Sequence, residues 1–546
     1  NDGNSRIVIL EDTDGDGRFD TRKVFLEGIP FPAAIAVGFD GLWLGAPPNL
    51  LFVPDRDHDD RADAGIEVRL TGWGIQDRHE TLNSLTWGPD GWLYGCQGFA
   101  TRSTVGKPSD GGRVFKRGEP FPDNLTVTDG QYLDGGVWRY HPTKDRFEVV
   151  AHGFSNPWGL DFDDHGQMFI TACVIPHLWH VIPGGIYHRQ GGKHINPYIY
   201  DDIKTIADHR HRSAHGGARV YLADEFPREY RNRIFMANIH EHAVLTDILE
   251  PKGSGFVGHH GDDTLLANDA AWVGFSMEIG PDGAVYVLDW HDGDICGNSL
   301  TAKETGRIYR LAPRGLPGRA GLNLASLSDS ELVGLLNHRN DWYSRRARLI
   351  LQQRAATGRL DPTVSAQLWD MFHREKSAAT QLRAVWALHV TGNLPAERLL
   401  TLLDHSEPYV RGWAVQLLGE DQAAGAEARR KFASLAASDP SPIVRLYLAS
   451  ALQRLPLDQR WSIAQNLMAR SEDASDHNLP KLIWSGIEPL VPADPARALR
   501  LSAGSSLPQL TQWLARRAVS AGLPPSRGLR PVRPSYSTSV AAKTSA

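Results

Sequence analysis

Leu82-Asn-Ser-Leu-Thr-Trp-Gly-Pro-Asp-Gly-Trp-Leu-Tyr94 decides the fold: a short apolar strand, a tight Gly-Pro-Asp-Gly turn, then a second apolar strand. Such a unit is a β-hairpin, and its recurrence is the mark of an all-β repeat. It returns at 33–44 around Phe39-Asp-Gly-Leu-Trp43, at 158–170 around Asp164-His-Gly-Gln-Met-Phe169, and at 275–288 around Gly280-Pro-Asp-Gly283. A unit with a longer insertion spans 218–222 and 234–239, and another hairpin spans 136–150 through His141-Pro-Thr-Lys-Asp145. Six such units at blade-like spacing predict a six-bladed β-propeller over residues 1–313. Its ring is expected to close by pairing 7–10 with 306–311, leaving no open sheet edge.

Beyond a Pro/Gly stretch at 313–322 the composition turns to Leu, Ala and Arg at helical spacing. Arg345, Arg383, Arg411 and Arg445 open four amphipathic runs, and Pro408 and Pro442 sit in the first turn of theirs. Spacings of 38, 28 and 34 between those arginines suit two-helix units, so 323–522 is expected to be an all-α, HEAT-like solenoid. The arginines are expected to join neighbouring repeats. Residues 523–546, rich in Pro, Ser and Arg, predict a disordered tail or linker.

With 546 residues the chain exceeds what one core usually fills, in keeping with two domains. Its net charge of -6, with no basic block interleaved with aromatics, excludes nucleic acid as the expected partner. No apolar run is long enough for a membrane span. Three cysteines, Cys96, Cys173 and Cys296, stand far apart, which excludes zinc-ribbon and covalent haem motifs. The chain opens at Asn1 directly before a strand, as a trimmed N-terminus would.

Asp12, Asp14, Asp16 and Asp20 stand at offsets 0, 2, 4 and 8, and Asp55, Asp57, Asp59 and Asp63 repeat that spacing 43 positions later. Alternate carboxylates on a turning loop repel one another unless a hard divalent cation neutralises them, and all-oxygen ligation suits Ca2+. A structural role is expected. Calcium loops working near millimolar metal point to a periplasmic or otherwise extracytoplasmic setting.

Seventeen of the 22 histidines lie before residue 314. His177, His180, His188, His194, His209, His211, His215, His240 and His242 crowd one third of that region, so a central site able to hold a transition metal is one expectation. His79 stands just before a blade strand, where an imidazole titrating near neutrality can act as a general base. Asn156-Pro-Trp-Gly159 enters another unit the same way, and Asp289-Trp-His-Asp292 leaves the last. Equivalent ends of different blades are expected to converge on one cavity.

His79 with Leu82 to Gly91, then Asn156-Pro-Trp-Gly-Leu160, then Gly280-Pro-Asp-Gly283, resemble the soluble glucose and sorbosone dehydrogenase propellers that use pyrroloquinoline quinone (PQQ). Over nearly its whole length the chain is similar to the membrane-bound-dehydrogenase-like proteins of planctomycetes and verrucomicrobia, which join Asp-rich loops, a propeller and HEAT-like repeats. The resemblance implies a periplasmic oxidoreductase that oxidises a sugar or polyol, with cytochrome c as electron acceptor. It implies His79 as catalytic base; from their positions His215, Asn156 and His291 are expected as further catalytic residues, and Asn156, His240, His242 and Trp158 against the cofactor, His240 and His242 standing where the quinone relatives use Lys or Arg. Ser155 stands where the quinone relatives carry Arg. The alternative is a non-redox carbohydrate-active propeller, a lyase or hydrolase, working through the histidine-rich centre.

Overall fold

The computed structural model describes residues 5–522 apart from 78, 117, 121–124, 175, 295–300, 303, 320 and 421–423. The expected tail at 523–546 and Cys296 lie outside the described residues. Strands fill the chain from Arg6 to Leu311 and helices follow from Asp329 to Gly522. A propeller-like, strand-rich region is thus joined to a helical region.

Five sheets each begin with a strand that neighbours the first strand of the next. Those first strands are Ala34–Val37, Asn83–Trp87, Pro157–Phe162, His215–Val220 and Gly274–Ile279. The hairpin Gly136–His141 with Arg146–His152 does not form a sheet of its own but completes the one that begins at Asn83. Closure also differs from expectation. Arg6–Glu11 pairs with Thr21–Glu27, while Arg307–Leu311 pairs with Val285–Asp289. A nearby partner closes a short loop at far lower entropic cost than one three hundred residues away. The hairpin also buries Phe25, with Ile7, Ile9 and Leu26, against Leu42 and Leu44 of the first radial sheet.

Four of the five radial units carry the same local irregularity. Register slips at Asn83/Thr86, Pro157/Leu160, Gly216/Arg219 and Gly274/Ser276, so four first strands open on a β-bulge. The left-handed backbone at Gly159 (φ 95°) and Gly217 (φ 69°) explains glycine there. At the far ends, the Gly-Pro-Asp-Gly turns are braced alike. Asp90 accepts hydrogen bonds from Tyr94 Oη at 2.7 Å and Arg139 Nη1 at 2.9 Å. Asp282 accepts from Tyr286 Oη at 2.9 Å and Arg310 Nε at 2.7 Å. One carboxylate thereby pins three strands.

The helices cover those turns. Gln352 Nε2 donates to Gly91 O at 3.0 Å, Asn340 Nδ2 to Gly280 O at 2.9 Å, Trp413 Nε1 to His165 O at 2.8 Å, and Gln453 Nε2 to Gly184 O at 2.9 Å. Gly166 has φ +72°, and a β-carbon there would meet the Trp386 ring at 2.8 Å, so indole packs directly on the turn backbone. A continuous core joins Trp92, Phe162, Met168 and Val181 of the sheets to Trp386, Trp413 and Leu417 of the helices. Asp341–Ala356, Ala378–Val390, Pro408–Leu418, Pro442–Leu452 and Leu479–Ile487 stand in one row of neighbouring helices along this face. None of the described helices is long and apolar enough to cross a membrane.

Three of the four arginines join helical units as expected: Arg411 Nε meets Asp439 at 2.7 Å, Arg445 Nη2 meets Asp473 at 2.6 Å, and Arg383 Nη1 donates to His338 O at 2.9 Å. Arg345 turns to the sheets, and Arg383 reaches them as well. Arg345 bonds Asp161 and donates to Phe162 O at 2.9 Å, and Arg383 lies 3.4 Å from Asp164 and 3.0 Å from Asp341. Burial opposes ionisation of Asp341, yet Arg383, Arg345 and Arg348 together hold it below the ordinary carboxylate range. Removing one partner of a buried pair strands the other charge. Arg345→Met is therefore expected to cost roughly 3 kcal/mol and lower the thermal midpoint, with Asp161→Asn in the same chain restoring part of the loss; equal melting of Arg345→Met and the parent would refute this.

Candidate functional site

The first strands start level with one another. Gly159 N donates to Ser84 Oγ at 2.7 Å, Trp158 Nε1 donates to the His79 carbonyl at 2.6 Å, and the Trp158 and Phe275 rings meet edge to face at 4.8 Å. His79, Asn156, Trp158 and Phe275 thus gather where three first strands begin, and His215 opens the strand between the last two. This mouth lies one strand length, about 17 Å, from the turns that the helices cover. His79 is half-exposed, its Nδ1 3.4 Å from Asp77. Asn156 has φ 44°; its carbonyl accepts from Cys173 N at 3.0 Å and its Oδ1 is buried without a hydrogen-bond partner.

Other expected site residues are occupied with structural partners. His291 lies between Asp269 (3.2 Å) and Thr305 Oγ1 (2.7 Å) after the last sheet. His242 Nδ1 is 2.8 Å from Trp272 O. Only the main chain of His240 is held there, its N donating to Asn238 Oδ1 at 3.1 Å.

The imidazoles beside His215 make the densest polar group. His177 precedes Leu178–Val181, His209 and His211 lie on the approach to His215, and Asp247 projects from Ala243–Lys252. His177 Nε2 meets Asp247 Oδ2 at 2.9 Å, His209 Nε2 is 3.2 Å from Asp247 Oδ1, and His209 Nε2 is 3.0 Å from His211 Nε2. The ring of His215 stacks on His177 at 4.4 Å, and that of His260 lies 4.6 Å from His211. Burial resists ionisation of Asp247, but the bond from His177 and the close approach of the His209 ring hold it down at about 2. The Asp247 carboxylate beside it raises His209, whereas burial, then His177, pushes His211 down to about 4. Asp247 Oδ1 is fully buried and takes part in no hydrogen bond, despite its closeness to His209. A buried acceptor left so costs about 1–3 kcal/mol. Asp247 is absent from the residues expected at the site, though the sequence carries its signal: a lone carboxylate inside the apolar run Ala-Val-Leu-Thr-Asp-Ile248.

In each aspartate loop three carboxylates approach one another, Asp12 with Asp14 and Asp20, and Asp55 with Asp57 and Asp59. Asp16 instead accepts from Arg18 N at 2.8 Å and Asp63 from Arg56 N at 2.9 Å. Lys23 lies 3.1 Å from Glu11 and 2.5 Å from Asp60, linking the loops.

A tricarboxylate quinone asks for fixed cations. Asn156, Trp158, His240 and His242 bring no permanent one, and Ser155 Oγ is engaged by Gln190 N at 2.8 Å. Buried Arg189 is taken by Asp134 at 2.9 Å, and Arg210 and Arg212 are solvent-exposed. The residues named for PQQ do not fit that group.

Residues 1–315 match a family model described as a domain of unknown function, DUF7133. The chain belongs to this family. No curated protein matches it. Among solved structures, an oxidoreductase described as a glucose dehydrogenase from Thermus thermophilus is 17% identical, covering 52% of this chain and 97% of its own, at TM-score 0.31. The PQQ-bound aldose sugar dehydrogenase from Streptomyces coelicolor is 13% identical, covering 57% and 98%, at TM-score 0.29. A designed armadillo repeat protein is 16% identical, covering 35% and 98%, at TM-score 0.24. No residue role in this DUF7133 chain follows from likenesses of that level.

Burial also sets the pH response. It pushes His180 down to about 3 and His141 and His152 to about 4. All three are neutral when folded but take up protons near pH 6.5 when unfolded, so stability falls as pH drops from about 6.5 to about 4. At pH 5 the loss is on the order of 2 kcal/mol per histidine as an upper limit. Urea midpoints are expected to be lower at pH 5 than at pH 7.5, and an unchanged midpoint would exclude this linkage.

Proposed function

We propose that the protein is an extracytoplasmic oxidoreductase that binds a sugar or polyol at the mouth of its propeller-like region, with His79 as general base. The observation that carries this reading is the Trp158 indole, hydrogen-bonded to the His79 carbonyl at 2.6 Å and braced by Phe275 at 4.8 Å. A flat aromatic face stacks on the C–H side of a sugar ring, and the half-exposed imidazole of a residue whose main chain is held beside that face can take a hydroxyl proton. The carbinol carbon gives up a hydride, that is two electrons, to a two-electron organic redox acceptor brought to the open mouth, and two molecules of a one-electron cytochrome c are the class of protein that carries the electrons onward. No step is assigned to the quinone.

Dye reduction across a panel of sugars and polyols tests this. His79→Asn is expected to lower kcat about 100-fold or more with an unchanged melting point, while Trp158→Ala mainly raises KM. No reduction with any substrate, or full activity in His79→Asn, would remove the reading.

In the same reading the aspartate loops bind structural calcium, as suits an extracytoplasmic protein. Millimolar Ca2+ is expected to raise the thermal midpoint of the parent, and less that of Asp14→Asn. A midpoint indifferent to calcium would show the loops to be solvated turns.

A further inference from the structure

We infer that His177, His209, His211 and Asp247 form a binding site for one first-row transition metal ion, such as Zn2+, Fe2+ or Mn2+, beside the mouth. The inference extends the proposed function by giving that mouth a Lewis acid, and its test reads metal, so it can fail independently of His79.

Each of the four side chains offers a donor atom within 4.8 Å of the others. The closest separations are 2.9, 3.0 and 3.2 Å. Donors bound to one ion at about 2.0–2.1 Å lie about 2.9–3.4 Å apart along neighbouring edges of its coordination polyhedron. Three imidazole nitrogens with one carboxylate form a donor set suited to zinc, iron or manganese, and unlike the all-oxygen aspartate loops. A hydrogen-bonded cluster alone gives similar distances, so further observations matter.

The first is the bare oxygen. Asp247 Oδ1 is buried without a hydrogen bond and points among nitrogens that an added cation would share with it. The second is orientation. His209 turns Nδ1 to Asp208 at 3.2 Å, and Asp208 is held in turn by His259 at 2.5 Å. His211 turns Nδ1 towards Glu241 at 3.9 Å, and Glu241 accepts from Arg212 N and Asn238 Nδ2, both at 3.0 Å. The carboxylate behind His209 directs its Nε2 into the cluster, as outer partners of metal-bound histidines do, while Glu241, beyond hydrogen-bond reach of His211, adds only its nearby charge. His177 and Asp247 are wholly buried, whereas the side chains of His209 and His211 keep 17% and 10% exposure. The exposed side gives the ion a coordination position open to water or to a substrate hydroxyl. His215, stacked beneath His177, has its Nε2 3.3 Å from Asn238 Nδ2 and shapes the wall of the site.

Elemental analysis of the tag-free protein is expected to find about one equivalent of transition metal, if need be after incubation with Zn2+, Fe2+ or Mn2+ and desalting. After chelation, Co2+ should give visible bands of a nitrogen-bound ion. His209→Ala and Asp247→Asn should each lose the metal and the bands, while His79→Asn should keep both. Far-UV circular dichroism of the variants, together with the conservative His211→Gln, separates loss of metal from loss of fold. Less than a tenth of an equivalent under every loading condition, with Co2+ spectra of the free aquo ion, would overturn the assignment, as would undiminished metal in folded His209→Ala.

Discussion

The architecture depends on how buried carboxylates at the turn ends of the sheets are neutralised. Asp161 and Asp164 sit where water is excluded by the helices, and ionised groups there persist only with cations brought close. Arg345 and Arg383 supply them from the first helices, and both also engage Asp341. Glu420 reciprocates in the other direction, accepting from Trp92 and lying 3.0 Å from His389. Hydrogen bonds thus cross the junction in both directions, and the apolar core continues between these pairs. One face of the strand-rich region is covered as a result. The opposite face is left uncovered by the helices, and there four of the first strands begin on bulges and side chains from different sheets meet.

The strand units share more than their turns. A bulge at the start of a strand increases its twist and re-aims the residue beside it, so Asn156 and His215 are presented by one backbone device on two scaffolds, while His79 lies four residues ahead of its strand. The Asp-Tyr-Arg brace at the other end fixes the strand against sliding. A rigid far end and an irregular near end are what an enclosed binding site asks of a sheet.

Local chemistry is legible in the sequence and long-range choice is not. Gly-Pro-Asp-Gly announces its turn because those residues permit few backbone conformations, and each such turn forms as read. The pairing partner of Ile7 to Leu10 is not legible, since a nearby strand and a distant one satisfy the same alternation. The 136–150 segment reads as a hairpin, but which sheet it joins is decided by Arg139 reaching Asp90. At the mouth, position before a first strand predicts where His79 and Asn156 lie, yet it says nothing of where a ring points. His242 and His291 accordingly turn to Trp272 and Asp269. The imidazole crowd is visible as composition; its organising carboxylate, Asp247, is hidden in an apolar strand.

The junction also has a metric side. Asn340 and Gln352, at the two ends of one helix, grip the turns of two sheets at Gly280 and Gly91, whereas Trp413 and Gln453, of two helices, grip His165 and Gly184 beside one sheet. The junction is laced like a shoe, one helix tied to two sheets and one sheet to two helices, so a slip at one point is resisted at the next. Lineages carrying this arrangement are therefore expected to vary in loops and termini while holding the spacing between these ties constant.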